Sequence, residues 1–131
     1  MREVDFSYPD LLRHNAQHHG PALALAGDFE PLSHQALMAR CTDLACALEG
    51  LGVSRGDRLA VLAPNRPQVM LLLGAAALLG ATLVLLNVRG SADETAAVVA
   101  DAAPRLLFAD APLQASLAPL PAGLPSHAPG P

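Results

Sequence analysis

The sequence contains no lysine and no tryptophan, and only 3% of its 131 residues are aromatic. Without lysine, this chain excludes every mechanism that needs a lysine side chain, whether as a Schiff base, a phosphate clamp or a general base. The eight basic residues are all arginines, and the formal net charge is -4, so a basic nucleic-acid-binding surface is not expected. Two cysteines exclude a disulfide framework, and 52% hydrophobic residues exclude a charge-driven disordered chain.

Targeting and redox signals favour a cytoplasmic protein. The first residues carry Glu3, Asp5 and Asp10 and have no apolar core behind a basic start, so they do not resemble a secretory signal. Cys41 and Cys46 are five residues apart, which on a helix places them about 140° apart around the axis. They are therefore not expected to share a disulfide or a metal; Cys41 is predicted to lie in the core and Cys46 on the opposite face.

The first half of the chain alternates short elements separated by glycine and proline. A polar helix, a two-stranded hairpin and a longer helix are expected in that order. Ser33 is a suitable N-cap for the longer helix, whose apolar stripe recurs at three- and four-residue steps. The predicted ranges are 9–19 for the polar helix, 22–26 and 29–32 for the hairpin, and 34–52 for the longer helix, with a stripe of Leu37, Cys41, Leu44, Leu48 and Leu51.

An uncharged segment in the middle of the chain allows two interpretations. Val69 to Leu86 is 18 residues long, which meets the length rule for a membrane-spanning helix. Against that, its first part is rich in helix formers, Gly80 is a natural helix stop, and the residues after it form a run of strand length. We therefore predict a helix, a glycine turn and a strand, and keep a membrane span as the alternative.

The elements around this segment predict the fold class. A buried strand ending at Pro64 precedes the segment, and Ser91 with Glu94 has the spacing of a capping box that begins another helix. Pro104 ends that helix before a further strand, so the middle of the chain alternates strand, helix, strand, helix, strand. Crossovers of this length predict an α/β fold, with a partial parallel sheet flanked by helices.

The chain is predicted to divide at Asp110. Residues 1–110 form an incomplete α/β subdomain, whereas residues 111–131 hold six of the 12 prolines and no charged residue apart from a protonatable His127. By composition, residues 111–131 are a Pro/Ala-rich tail that is expected to be disordered.

The residues that carry chemistry form no recognisable catalytic set. No glycine-rich nucleotide loop is present, because Gly74 and Gly80 stand alone in an apolar segment. Asp10, His14 and His18 align on one helix face, but without a fourth ligand a solvated face is the better interpretation. Ser33 is explained by its capping role, and the pair Asp57–Arg58 is expected either to form an ion pair or to cap the turn before a strand. No catalytic, cofactor-binding or metal-binding residue is therefore assigned.

The order of the motifs resembles the beginning of the AMP-forming acyl-CoA synthetase and ligase family, the adenylate-forming enzymes. Its early strand-to-helix motif resembles residues 31–37, PLSHQAL. The helix, Gly-Asp turn, strand and Pro-Asn of the family resemble ALEGLGVSRGDRLAVLAPNRPQV. The block LLLGAAALLGATLVLLNVRGSADETAAVVADAAPRLLFAD follows the family order of helix, strand, Asn-x-Arg, capped helix and strand.

The resemblance covers roughly Leu11 to Asp110 and includes departures. Leu85 and Val88 stand where the family usually has prolines around the asparagine, and Gly90 replaces a usual apolar residue.

The resemblance implies the start of the N-terminal domain of an enzyme that activates a carboxylic acid with ATP and magnesium, then passes the acyl group to coenzyme A. In the family, the phosphate loop and the catalytic lysine follow the matched region, so none of these residues is assigned here. The chain is expected to be an inactive N-terminal fragment of such a ligase, with the missing remainder of a synthetase as a candidate partner. Two alternatives are a non-catalytic interaction module that pairs with a synthetase partner and a membrane protein anchored by residues 69–86.

Overall fold

The computed structural model describes residues 6–113 and a two-residue strand at 126–127. The elements follow the predicted order of helix, hairpin, helix and alternating strands and helices. They are α1 (Tyr8–His18), β1 (Leu23–Gly27), β2 (Phe29–Ser33), α2 (His34–Gly50), β3 (Arg58–Leu62), α3 (Pro67–Leu79), β4 (Thr82–Leu85), α4 (Ala92–Ala102), β5 (Leu106–Ala109) and β6 (Ser126–His127).

The first elements form a layer against α2. Ser7 caps α1 through a reciprocal capping box with Asp10, and β1 pairs antiparallel with β2 across the single residue Asp28. Ser33 caps α2 by accepting a hydrogen bond from the backbone N–H of Ala36, at 3.1 Å, as the sequence predicts. Leu12 of α1 packs in one apolar cluster with Leu37 and Cys41 of α2.

The sheet confirms the predicted fold class. Its strand order is β4-β3-β5-β6, and every pairing is parallel. Side chains alternate between the two faces of β3. Leu59 and Val61 pack in the cluster that includes α2 and α3, whereas Ala60 and Leu62 pack with Val99 of α4. The sheet is thus covered on opposite faces by α3 and α4.

The predicted stripe of α2 is largely correct. Leu37, Cys41 and Leu48 are buried, together with Ala45. Leu51 is an exception: it is 49% exposed, because the helix ends at Gly50 and Leu51 is the C-cap.

The uncharged segment divides as predicted into a helix, a glycine and a strand. Helix α3 ends at Gly80, which adopts a left-handed conformation with φ 72°, and β4 begins two residues later. A side chain at this φ is strained, which explains why glycine is the stop. Within the part of the chain that the structure describes, no helix is long and apolar enough to cross a membrane.

Most of the predicted tail lies outside the described residues, namely 114–125 and 128–131. The described parts are Ala111–Leu113, which form a short turn, and β6, which pairs with β5. The predicted boundary at Asp110 coincides with the end of β5 and stays a prediction.

Arginines gather at the amino edge of the sheet, where the three helices α2, α3 and α4 end. Arg58 donates a hydrogen bond to the carbonyl of Ala102, at 3.0 Å, at the end of α4. The guanidinium of Arg105 lies against Gly52, just beyond α2, and the side chain of Arg55 lies against Gly80. Cations at helix C-termini are favourable because the helix dipole is negative there, so the guanidinium of Arg58 is favourably placed at the end of α4.

Candidate functional site at the carboxyl edge of the sheet

The strand order indicates where a ligand would bind in this fold. The chain leaves β3 through α3 to reach β4 on one side, and returns through α4 to β5 on the other side of β3. The order of the strands therefore reverses between β3 and β5. In open parallel sheets, ligands bind in the crevice at the carboxyl ends of the strands at such a reversal. The loops that follow β3, β4 and β5 therefore form the candidate site.

An ion pair lies at the carboxyl edge of the sheet between β3 and β5, where the strand order reverses. Arg66 follows β3 and Asp110 follows β5, and Nη2 of Arg66 lies 2.7 Å from Oδ2 of Asp110. The backbone N–H of Asp110 donates to the carbonyl of Leu62, at 3.0 Å, which fixes the carboxylate beside the end of β3. Asp110 is only 8% exposed, so Arg66 compensates a carboxylate that is almost withdrawn from water.

Two cavities lie on either side of the loop that carries Arg66. One of about 690 Å³ opens between the β1–β2 hairpin and the first turn of α3, and Phe29, Gln68 and Met70 contribute to its wall. The other, of about 380 Å³, lies between the ends of β3 and β4 and is lined by Leu85 and the loop after it. Asn65, at the centre of this loop, borders both cavities.

The loop after β4 is shaped by local hydrogen bonds. The side-chain Oδ1 of Asn87 accepts from the N–H of Arg89, at 3.0 Å, and its carbonyl accepts from the N–H of Gly90. Ser91 and Glu94 form the predicted reciprocal capping box at the start of α4. The polar groups of this loop are thus largely committed to holding the backbone, with the exposed Arg89 side chain projecting from it.

The site offers positive potential but no nucleophile with its base. Helices α3 and α4 both begin at this edge, and helix N-termini carry partial positive charge. No side chain caps the start of α3, although Pro67 at its first position needs no hydrogen-bond partner. The side-chain Oε1 of Gln68 is buried and has no hydrogen-bond donor among the described residues. These features suit binding and packing rather than proton transfer.

The other residues considered from the sequence have structural roles. Asp10 is held by Ser7 and Arg13, and His14 and His18 stack with ring centroids 4.5 Å apart. In the described ranges, no group of three metal-ligating side chains comes together. Hydrogen bonding from Ser7 lowers the pKa of Asp10.

Asp57 has the second of the two predicted roles, and Arg58 has neither. Asp57 caps its turn by accepting from the N–H of Ser54, at 2.8 Å, and it pairs with Arg105 at 3.8 Å rather than with its neighbour. Arg58 instead binds the end of α4, so neither residue faces the candidate site.

The two cysteines differ in environment as predicted, and this gives a direct test. Burial raises the pKa of the Cys41 thiol to about 11, whereas Cys46 is exposed. We expect Cys46 to react with a thiol reagent at pH 8 and Cys41 to react only on unfolding, since the thiolate is the reactive form. The readout is the rate of labelling of a Cys46→Ser variant against that of the wild type.

The same thiol predicts the sign of a pH effect. The pKa of the Cys41 thiol is higher in the folded protein than in the unfolded chain. Its contribution to the free energy of unfolding is therefore fully present at pH values below the ordinary thiol pKa, and it is lost as the pH rises towards about 11. Urea unfolding at increasing pH should show this loss in the wild type and not in Cys41→Ala.

For the labelling experiment, equal labelling rates for Cys41 and Cys46 in the folded protein would contradict the buried position of Cys41.

The ion pair at the strand reversal was not found from the sequence. Arg66 and Asp110 are 44 positions apart, and only the placement of β5 next to β3 brings them together. The sequence shows only that Asn-Arg-Pro follows one predicted buried strand and that Asp follows another. Neither observation indicates that the two residues form an ion pair.

Solved structures with the same fold are adenylate-forming enzymes. A protein assigned as a long-chain-fatty-acid CoA ligase from Rhodopseudomonas palustris superimposes with a TM-score of 0.90 at 34% identity, over 98% of this chain and 34% of that one. The N-terminal domain of FACL13 from Mycobacterium tuberculosis gives a TM-score of 0.81 at 26% identity, over 86% of this chain and 29% of that one. The fold is therefore that of the N-terminal domain of adenylate-forming enzymes.

Sequence comparison identifies the family. A model of the AMP-binding enzyme family matches residues 12–128, so the chain belongs to this family. The match extends beyond Asp110, where the motif resemblance ends, into the region predicted as a tail.

Curated relatives of the chain include acyl-CoA ligases and a nonribosomal peptide synthetase. FadD13, a long-chain-fatty-acid–CoA ligase of Mycobacterium tuberculosis, is 38% identical over 77 residues, which are 59% of this chain and 15% of that protein. Acetyl-coenzyme A synthetase of Streptomyces avermitilis is 31% identical over 111 residues, which are 81% of this chain and 17% of that protein. The chain thus spans about 15% of the length of FadD13.

The described residues at the carboxyl edge do not by themselves form a glycine-rich phosphate nest for the nucleotide that the family implies. A phosphate needs a nest of backbone N–H groups, which glycines in left-handed conformations commonly provide. The three glycines with positive φ in the described residues are Gly52, Gly56 and Gly80, all at the amino edge, opposite the candidate site. At the carboxyl edge, the space beside Gly90 is bounded by Asn87 and Glu94.

Proposed function

We propose that this chain is the N-terminal scaffold of an ATP-dependent, AMP-forming acyl-CoA ligase. Such a ligase joins a carboxylic acid to the AMP part of ATP, releases pyrophosphate, and transfers the acyl group to the thiol of coenzyme A. The family match over residues 12–128 carries this proposal, together with the superposition on the Rhodopseudomonas palustris protein. Within the enzyme, this segment supplies three central parallel strands and the helices that cover them.

We further propose that the chain alone does not form an acyl-adenylate. It has no lysine to stabilise the charge that develops during adenylation, and its described residues at the carboxyl edge do not by themselves form a glycine-rich phosphate nest. The catalytic and cofactor-binding residues would then lie in the rest of the ligase. The free cysteines, one buried and one exposed, are compatible with a reducing cytoplasmic location.

A second candidate function is that of an interaction module that pairs with a separate synthetase polypeptide. The observation in its favour is the edge strand β4, at whose end Leu85 is 67% exposed. In this case, the remainder of a synthetase would be the partner and would regain activity on binding.

The test is a chimera in which this chain replaces the matched third of the Rhodopseudomonas palustris protein. We expect the chimera to exchange pyrophosphate into ATP in the presence of a long-chain fatty acid, because the scaffold is complete. The chain alone should show no exchange above a blank without protein. The unmodified relative is the positive control.

Two results would contradict these proposals. Exchange by the purified chain alone would show that it carries its own catalytic residues. A chimera that folds, as judged by a cooperative unfolding transition, but shows no exchange would argue against the scaffold role. Recovery of exchange on mixing the chain with the separate remainder would favour the second candidate function.

A further inference from the structure

The outer edge of β4 carries free backbone groups. The N–H of Thr82 donates to the carbonyl of Asp57, just before β3, and the N–H of Leu86 donates to that of Val61 in β3, at 2.9 Å in both cases. Successive residues of a strand point their backbone groups to alternate sides, so the N–H and C=O groups of Leu83 and Leu85 face away from β3. Within the described part of the chain, β4 is an end strand of the sheet.

Apart from its short length of four residues, this edge has none of the sequence features by which proteins protect an exposed strand. Natural edges carry charged residues, prolines, bulges or a covering element. The four residues Thr82–Leu85 include no charge and no proline, and their register with β3 runs without a bulge.

Exposed apolar side chains continue from this edge. Leu85 is 67% exposed and Val88 is 39% exposed, and both line the cavity of about 380 Å³ at the ends of β3 and β4. A strand laid along β4 would therefore pair its backbone and also cover Leu85. Burial of apolar area of this kind favours the pairing.

We propose that the outer edge of β4 pairs with a β-strand from the part of the ligase that lies outside the segment shared with this chain. This rests on the proposed function. The chain covers 34% of the Rhodopseudomonas palustris protein and superimposes on it closely, so about two thirds of that longer protein remains to supply such a strand.

A second copy of this chain is a weaker candidate for the same edge. Two copies would pair two strands of only four residues each, and the extent of their association would depend on the protein concentration. A strand in the same polypeptide has an effective concentration in the millimolar range when its linker allows it to reach the edge. The unprotected edge is better explained by a partner that is always present.

Amide hydrogen exchange in the chimera described above tests this pairing. In the chain alone, we expect the amides of Leu83 and Leu85 to exchange at rates close to those of an unstructured peptide. In the chimera, they should be slowed at least 100-fold, because they then donate to the added strand. The amide of Val84, which faces β3, serves as an internal reference in both proteins.

Two matched variants separate edge pairing from general stability. Leu85→Lys adds a charge to the edge and should reduce the protection of the Leu83 amide in the chimera at least tenfold. Leu23→Lys alters a leucine of β1 that is 62% exposed, close to the 67% of Leu85, and should change that protection less than twofold.

The outcomes distinguish this inference from the proposed function. An active chimera whose Leu83 and Leu85 amides exchange as fast as in the chain alone overturns the pairing and leaves the function standing. Protected amides in an inactive chimera support the pairing and count against the function. Protection in the chain alone that grows with protein concentration assigns the edge to a second copy and overturns the inference.

Discussion

Replacing Gly74 by alanine is expected to lower the free energy of unfolding by about 1–2 kcal/mol, although alanine is the better helix former. Gly74 lies within α3, where the added methyl group would overlap the sulfur of Cys41 and would come 3.4 Å from Cδ1 of Leu12. Overpacking a close-packed core costs about 1–3 kcal/mol, sometimes more, and the gain in helix propensity offsets about 1 kcal/mol of that. This glycine therefore lets α1, α2 and α3 approach one another.

The control is Gly50→Ala at the end of α2, where an added methyl group meets nothing within 4 Å. That variant should be unchanged or more stable by up to about 1 kcal/mol. Cys41→Ala removes the overlapping sulfur, so the double variant Gly74→Ala/Cys41→Ala should lose less stability than the sum of the single variants. Urea unfolding measures all four proteins. Equal midpoints for Gly74→Ala and Gly50→Ala would contradict the close approach.

Removing the guanidinium of Arg66 is expected to destabilise the protein by about 2 kcal/mol. Arg66→Gln leaves Asp110, which is 8% exposed, without its partner at 2.7 Å. An unpaired buried charge costs several kcal/mol, but the Arg66 side chain is 49% exposed, so water compensates part of the loss.

Two comparisons make the effect specific to the strand reversal. Arg13→Gln breaks an exposed ion pair with Asp10, at 3.4 Å, and should shift the unfolding midpoint much less than Arg66→Gln does. In the Asp110→Asn background, Arg66→Gln should cost clearly less than in the wild type, because no buried charge is left unpaired. Thermal and urea unfolding give both differences. An unfolding midpoint for Arg66→Gln within error of that of the wild type would show that the pair does not hold the β3 and β5 ends together.

Features built from neighbouring residues were predicted from the sequence. The capping box of Ser91 and Glu94, the N-cap of Ser33 and the left-handed stop at Gly80 each depend on a hydrogen bond or a backbone angle within a few positions. The capping box of Ser7 and Asp10 has the same type of spacing but lies outside the prediction, because the predicted helix begins at Pro9. Local chemistry therefore accounts for the element boundaries.

Features that join distant residues could not be predicted in the same way. The parallel sheet follows from the alternation of strands and helices, but the position of β5 beside β3 follows only from packing of the whole molecule. The pair Arg66–Asp110 depends on that position. For Leu51 the sequence spacing is misleading: it fits the buried stripe of α2, but the helix ends at Gly50 and Leu51 is its C-cap.

The candidate site was the least predictable part. Two cavities and a buried ion pair arise where three loops meet, and none of the loops contains a motif that indicates a site by itself. The family was indicated by the collinear order of short motifs over roughly Leu11 to Asp110, and the family match over residues 12–128 confirms it.

The arginines at the amino edge have a chemical consequence for an enzyme of the proposed class. Acyl-adenylates are acylating agents: an amine with a free electron pair attacks the acyl carbon, an amide bond forms and AMP leaves. Lysine presents such an amine in part of its population, whereas the guanidinium of arginine stays protonated and is unreactive. Because Arg58 binds the end of α4 and Arg105 pairs with Asp57 without any lysine in the chain, the side chains of this segment offer no amine for a ligase to acylate with its own intermediate.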